Sequence, residues 1–304
     1  MYKTPAALEM AIRQAAKDSP QDTNRAIAGF WRHRLLCRVF SNANRSFVLK
    51  GGHAMLARTV DARATRDIDL LSKKDSLDAA VEELKRLATV DLDDFATFEF
   101  LRATPITTED EYRSGLNVRF RCLVGAKPVQ DVSIDLVVDE IALENTDVVA
   151  PADRLEVRGV EVCDYAVYPV ECALADKLCG IIETHDDRAS SRVKDLADIL
   201  IIATSMTVDG TKLQKRIAAE LGARKLSRLD AFVIPTVWRT SRSSTYANMA
   251  KQARLPPEAV SLESAVALAK KLLDPAIQSL ADGMTWIPEK EQWIREGASG
   301  DQHF

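Results

Sequence analysis

The sequence predicts an α+β chain, a mixed β-sheet flanked by helices and followed by a C-terminal helical bundle. Three observations carry this. Segments of strand character recur between residues 47 and 162. Near Tyr165–Pro169 the character changes, and beyond it apolar residues recur at helical spacing. Within the first part a short apolar run, the pair Gly51-Gly52, a helix-like segment and an acidic strand follow one another in that order. The boundary expected from this change divides the chain into residues 1–165 and 166–304.

Residues 5–40 read as two helices split near Ser19-Pro20, where proline favours a break. The second is rich in arginine and aromatic residues (Phe30, Trp31, Arg32, Arg34, Arg38, Phe40), and the pair is expected to brace the sheet. His33 is expected at a surface or an interface. The run Phe47-Val-Leu-Lys-Gly-Gly-His-Ala then leads through a helix to Thr65-Arg66-Asp67-Ile68-Asp69-Leu70-Leu71. Side chains alternate along a strand, so Ile68 and Leu70 face the core and Asp67 and Asp69 share the other side.

Residues 75–88 have a helical apolar period, and 95–102, 116–124 and 129–138 read as strands, the last two joined by the hairpin-like Gly125-Ala-Lys-Pro128. In the last of these Val132, Ile134, Leu136 and Val138 fall on one face, so Asp135 points the other way. A lone acid in so apolar a strand needs compensation. It is a candidate third carboxylate beside Asp67 and Asp69, with a solvated sheet face as the alternative. Residues 155–162 read as one more strand.

In 170–182 the residues Val170, Ala173, Leu174, Leu178 and Ile181 form an apolar stripe that Lys177 interrupts. A lysine there either snorkels to solvent or is aimed at an anion. A polar loop, 183–192, leads to Val193-Lys-Asp-Leu-Ala-Asp198, where Lys194 and Asp198 have the spacing of an ordinary helical ion pair. The rest, to about residue 274, reads as helices with loops near Pro235 and Pro256-Pro257, and the tail after Trp286 is expected to fray.

Composition sets the bounds. The chain has 304 residues, 46% apolar and 28% charged, which is ordinary for a globular protein with ample core. No apolar run is long enough to span a bilayer, Ile199–Thr204 being far too short, and the N-terminus lacks a signal-type apolar segment, so a cytoplasmic location is expected. Five cysteines form no C-x-x-C pair and argue against a disulfide framework, and four scattered histidines argue against a zinc site. The net charge of −4 is uneven: residues 211–254 hold ten basic residues against Glu220 and Asp230, a net +8, which leaves −12 elsewhere. Such a basic lobe fits a polyanion partner or a set of solvated helix faces equally.

Two carboxylates held close repel unless a cation neutralises them, and Mg²⁺ binds through a few carboxylates plus substrate phosphates. The glycines allow close approach of a phosphate to backbone N–H groups at a helix start. Neither the G-x-x-x-x-G-K-[ST] loop nor the G-x-G-x-x-G fingerprint occurs.

Four blocks then stand in order: Lys50-Gly-Gly-His-Ala-Met-Leu56, Thr65-Arg-Asp-Ile-Asp-Leu70, Glu171-Cys-Ala-Leu-Ala-Asp-Lys177-Leu, and Arg192-Val-Lys-Asp195-Leu-Ala-Asp198. On these blocks the chain resembles the AbiEii/AbiGii-type nucleotidyltransferase toxins, including the MenT toxins of mycobacteria, within the polymerase-β-like superfamily. The resemblance implies an NTP substrate, Mg²⁺ (or Mn²⁺) held by Asp67 and Asp69, nucleotide transfer to a tRNA 3′ hydroxyl, and a cognate antitoxin. Lys177 and Asp198 match the family's catalytic lysine and late aspartate. Gly51, Gly52, His53, Thr65, Arg66, Lys177, Arg192 and Asp195 fall in blocks that serve the nucleotide. Asp135 would complete the metal set of Asp67 and Asp69 and help deprotonate the hydroxyl, with Asp198 orienting Lys177 or Arg192.

One position departs from the pattern: His53 stands where the superfamily carries Ser or Thr, and a protonated imidazole could donate to a phosphate there. Two alternatives stay open on the residues alone. One is a phosphotransferase or small-molecule nucleotidyltransferase; the other is a catalytically silent binding module of the same fold.

Overall fold

The computed structural model describes residues 2–59, 65, 67–106, 113–139, 141–185 and 188–295. The chain divides into two compact units, one ending at Tyr168 and one beginning at Pro169.

The first unit opens with α1 (Pro5–Asp18) and α2 (Thr23–Val39). Their starts are set locally, by Thr4 accepting from Ala7 N at 3.2 Å and Asp22 accepting from Arg25 N at 2.9 Å. Each cap contributes about 1 kcal/mol. Between them Ser19 is extended, as the residue before a proline prefers. There follow β1 (Phe47–Lys50), α3 (Gly51–Arg58), β2 (Ile68–Ser72), α4 (Leu77–Ala88), β3 (Ala96–Pro105), β4 (Arg113–Val124), β5 (Lys127–Asp139), β6 (Asp147–Val149) and β7 (Tyr165–Val167).

The strands form one sheet in the order β3-β4-β5-β2-β1-β7-β6. It is mixed: β2 runs parallel to β5 and β1 parallel to β7, while the other neighbours are antiparallel. Helical residues Leu8, Ile12, Phe30, Leu35 and Leu84 share a core with Leu49, Ile68, Leu70, Ile134 and Leu136. The α2 helix is also tied to the sheet by charge. Arg34 Nε and Arg38 Nη2 meet the buried Asp94 at 2.5 and 2.7 Å, and Arg38 Nη2 also donates to Ala96 O at 2.7 Å. Burial pushes the Asp94 carboxyl up, but the bonds and charges of Arg38 and Arg34 outweigh it and hold the group below its ordinary value.

The segment 155–162 forms no strand. The chain turns at Gly159, whose φ of +77° suits glycine, and Val160 N bonds Val157 O at 3.1 Å. The strand that follows is β7, which places Tyr168 N on Leu49 O at 2.9 Å.

The second unit contains α5 (Val170–Ile182), β8 (Thr184–His185), β9 (Arg188–Ala189), α6 (Val193–Ser205), β10 (Val208–Asp209), α7 (Gly210–Ala223), α8 (Trp238–Ser241), α9 (Ser243–Gln252), α10 (Leu262–Ile277), β11 (Met284–Ile287) and β12 (Gln292–Arg295). The α6 helix packs against α5, α9 and α10, which explains why its residues from Asp195 to Ala203 are buried on every side. A three-stranded sheet β10-β11-β12 is an addition to the mostly helical expectation for this unit. Residues 292–295 therefore pair as a strand instead of fraying. Trp286 anchors this sheet, fully buried, with its Nε1 donating to Ala203 O at 2.8 Å and its ring edge-on to Trp293.

Two members of the basic segment are internal. Arg216 bonds Glu220 at 2.7 Å, and Arg224 bonds Glu220, Glu183 and Asp176. Among the described residues no helix is long and apolar enough to cross a membrane.

Candidate functional site

The register of the first unit's sheet aligns four polar side chains across four strands. Lys50 of β1 is opposite Asp69 of β2, Asp69 is level with Asp135 of β5, and Asp135 is opposite Asn117 of β4. Partners in register point to one side of a sheet. The strand neighbours Ile68, Leu70, Ile134 and Leu136 are fully buried on the other side, so the alternation expected from Asp-Ile-Asp-Leu is present. Asp69 and Asp135 are both partly exposed.

The glycine corner borders this row. Gly51 begins α3 with φ +59°, and a Cβ built on it would lie 1.9 Å from Asp69 Oδ2. A Cβ on Gly52 would lie 2.8 Å from Thr65 Cβ. Each glycine is thus required by a side chain that fills the space of its missing methyl group. Gly51→Ala is expected to displace the Asp69 carboxylate and to cost about 1–3 kcal/mol in backbone strain alone. A thermal melt of this variant should fall below that of the parent; an unchanged melt would show that neither the left-handed backbone at position 51 nor the contact with Asp69 costs stability.

His53 is buried, and its Nδ1 lies 3.0 Å from the Asp67 carbonyl, so that nitrogen carries the hydrogen and donates. Burial foremost, then the charge of Arg32, pushes its pKa down to about 3 against the effect of the Asp67 bond. The imidazole is therefore neutral, and the N–H on Nδ1 is spent on the backbone ahead of β2. This corrects the expectation of a protonated phosphate donor.

The sign of the linkage follows. A histidine held neutral contributes stability above its ordinary pKa, near 6.5, and loses it as pH falls toward about 3. His53→Asn should flatten the fall in unfolding free energy across that window by up to about 1.4 kcal/mol per pH unit. Urea titrations at several pH values measure this slope directly.

Asp135 is held by Asn117, whose Nδ2 donates to Asp135 Oδ1 at 2.6 Å and to Ser133 Oγ at 2.8 Å. Asn117 Oδ1 in turn accepts from Arg119 Nε at 3.3 Å. Asp67 is exposed and precedes β2 by one residue. Arg32 of α2 lies within electrostatic reach of both His53 and Asp67. Asn117, Ser133 and Arg32 were not singled out from sequence; only the arginine-rich character of α2 hinted at the last. Arg66 lies outside the described residues.

Among the described residues no three His, Cys, Asp or Glu side chains gather closely enough to hold a metal ion. The expected trio Asp67, Asp69 and Asp135 is therefore not closed into a cage. The adjacent pair Asp69 and Asp135 still fits a hard cation, because Mg²⁺ needs only one or two carboxylates when substrate phosphates and water complete its shell.

Lys177, Arg192, Asp195 and Asp198 belong to the second unit. Lys177 of α5 is buried, and its Nζ donates to Asp198 Oδ2 at 2.6 Å and Asp195 Oδ1 at 3.4 Å, both on α6. Arg192 Nε donates to the other oxygen of Asp195 at 2.6 Å. The lysine is thus aimed at anions and does not snorkel. Its guanidinium neighbour packs over Gly180, where a Cβ would meet Arg192 Cζ at 3.1 Å. Burial opposes the charge on Arg192, but Asp195 and Asp176 outweigh it and raise its pKa.

Among solved structures, JHP933 from Helicobacter pylori is 11% identical with a TM-score of 0.40, covering 82% of this chain and 91% of its own. A candidate nucleotidyltransferase from H. pylori is 13% identical with a TM-score of 0.41, covering 86% of this chain and 98% of its own. No curated protein sequence matches. The family model described as "Nucleotidyl transferase AbiEii toxin, Type IV TA system" matches residues 34–285, a span that includes the glycine corner, the acidic row and the Lys177 cluster. The chain therefore belongs to the AbiEii nucleotidyltransferase toxin family of type IV toxin–antitoxin systems.

Proposed function

We propose that this protein transfers nucleotide from an NTP to the 3′ end of tRNA in the cytoplasm and thereby blocks translation, with a cognate antitoxin as its partner. The observation that carries the reading is the row Lys50–Asp69–Asp135–Asn117 beside the glycine corner. Asp69 and Asp135, with Asp67 nearby in sequence, would hold Mg²⁺ or Mn²⁺, which supplies positive charge to the phosphates and acidity to a bound hydroxyl. Asp135, oriented by Asn117, accepts the proton of the attacking hydroxyl. The N–H groups at the start of α3 face phosphate oxygens, a task that backbone does well where glycine removes the side chain. Lys177, fixed by Asp198 and Asp195, supplies a cation for the triphosphate in the role the family resemblance gives it.

RNA as acceptor is supported by the surface of the second unit. With Arg216 and Arg224 internal, Lys212, Lys215, Lys225, Arg228, Arg239, Arg242, Lys251 and Arg254 remain exposed, against an exposed Asp230. Such a surface suits a phosphate backbone better than a small cationic acceptor. Incubation with total tRNA and each labelled NTP in turn tests the proposal. Label in tRNA with the parent and none with Asp69→Ala is expected. Equal label from both proteins, or none with any NTP, would put the binding-module reading ahead.

A further inference from the structure

Away from the acidic row, α2 and the segment entering β7 bring two thiols together. Cys37 Sγ and Cys163 Sγ are 2.7 Å apart although 126 positions separate them in sequence. Cys37 is buried and Cys163 is half-buried. Both line a surface groove of about 420 Å³, together with Arg34, Phe40 and Val162, which gives a small solute access.

A chain of polar contacts ends on Cys37. Tyr165 Oη contacts His33 Nδ1, and His33 Nε2 lies 3.4 Å from Cys37 Sγ. Burial foremost keeps the Tyr165 hydroxyl protonated, so it can donate to Nδ1, and in that tautomer the imidazole hydrogen is on Nε2, facing the sulfur. Cys163 donates its S–H to the same atom. His33, expected at a surface or an interface, is buried where α2 meets the start of β7. Two donors on one sulfur suit a thiolate.

Charge nearby agrees with this. Arg34 and Arg38 share the single carboxylate of Asp94, and Arg34 Nη2 is buried with no hydrogen-bond partner. The bond from Cys163 foremost, then the bond and charge of His33 and the charge of Arg34, bring the Cys37 thiol down to about 5 against the effect of burial. The bond to Cys37 and burial push Cys163 the opposite way. Burial pushes the isolated Cys122 and Cys179 up to about 12.

We infer that Cys37 and Cys163 form a hydroperoxide-sensitive dithiol, with Cys37 the attacking sulfur and Cys163 the resolving one. The Cys37 thiolate attacks a peroxide oxygen, the O–O bond breaks, and the departing oxygen leaves as water after taking a proton, giving the sulfenic acid. Cys163 sulfur then attacks Cys37 sulfur, an S–S bond forms, and the S–O bond breaks to release a second water. Two thiols are oxidised by two electrons and one peroxide is reduced. The product crosslinks α2 to the lead-in of β7, and a dithiol reductant reverses it.

The test is mass spectrometry and thiol counting on the full chain treated with hydrogen peroxide. The expected result is a fall from five free thiols to three, with a Cys37–Cys163 linked peptide that disappears on reduction. In Cys163→Ser, Cys37 should instead be trapped by a sulfenic-acid reagent. Should that variant fail to fold, alkylation of the parent decides. Near about pH 6, Cys37 should react at least about tenfold faster than Cys122 and Cys179. Five thiols persisting under peroxide, a linkage to another cysteine, or equal alkylation rates would overturn the inference.

Discussion

Asp69→Asn is expected to lower nucleotide transfer by roughly 10²–10³-fold, the cost typical of removing one electrostatic element from a phosphoryl or acyl transfer site. Asparagine keeps the shape that fits under Gly51, so the corner stays filled. It removes one of two negative charges that the β2–β5 register places side by side. Relief of that repulsion should leave the melting temperature equal to the parent's or higher, as happens where a site is built at the expense of stability. Single-turnover labelling of tRNA and a thermal melt of the same preparation check both halves. Activity within a few-fold of the parent would sink the assignment of Asp69.

Lys177→Met has the other large expected effect, and here stability falls together with activity. Asp198 is fully buried, Asp195 nearly so, and the lysine ammonium bonds both. Removing one partner of a buried pair costs up to about 3–5 kcal/mol, and here Arg192 still bonds Asp195, so the loss is expected below that ceiling. The urea midpoint should drop accordingly. Adding Asp198→Asn removes the carboxylate closest to the lost ammonium and should recover part of the loss without restoring transfer. Recovery of transfer in the double variant would mean that Lys177 serves the fold alone.

Much of the sheet was legible because its signals are local. Period-two alternation in Asp-Ile-Asp-Leu and Val-Ser-Ile-Asp-Leu is written within five residues, and β2 and β5 carry it. The helix of 170–182 follows its apolar stripe to the residue, and the helix of 193–205 starts where its stripe does. What sequence concealed depends on distant partners. Asn117 reads as an ordinary polar strand residue until register brings Asp135, 18 positions away, onto its amide. His53 reads as a phosphate donor until burial leaves it neutral. The strands β11 and β12 hide in a polar tail because their order comes from Trp286 lodged beneath α6, a contact 83 positions long. The expected strand at 155–162 failed for a local reason that was visible, the glycine at 159.

The two leading helices carry a practical lesson for dissecting this family. The matched region begins at Arg34, midway along α2. Yet Leu8, Ile12, Phe30 and Trp31, all upstream of it, are interior residues of the same core as the sheet. Recognisable kinship and autonomous folding thus start at different places. A protein trimmed to the recognisable part would bare a greasy flank of the sheet, and insolubility on expression would be the first sign of it.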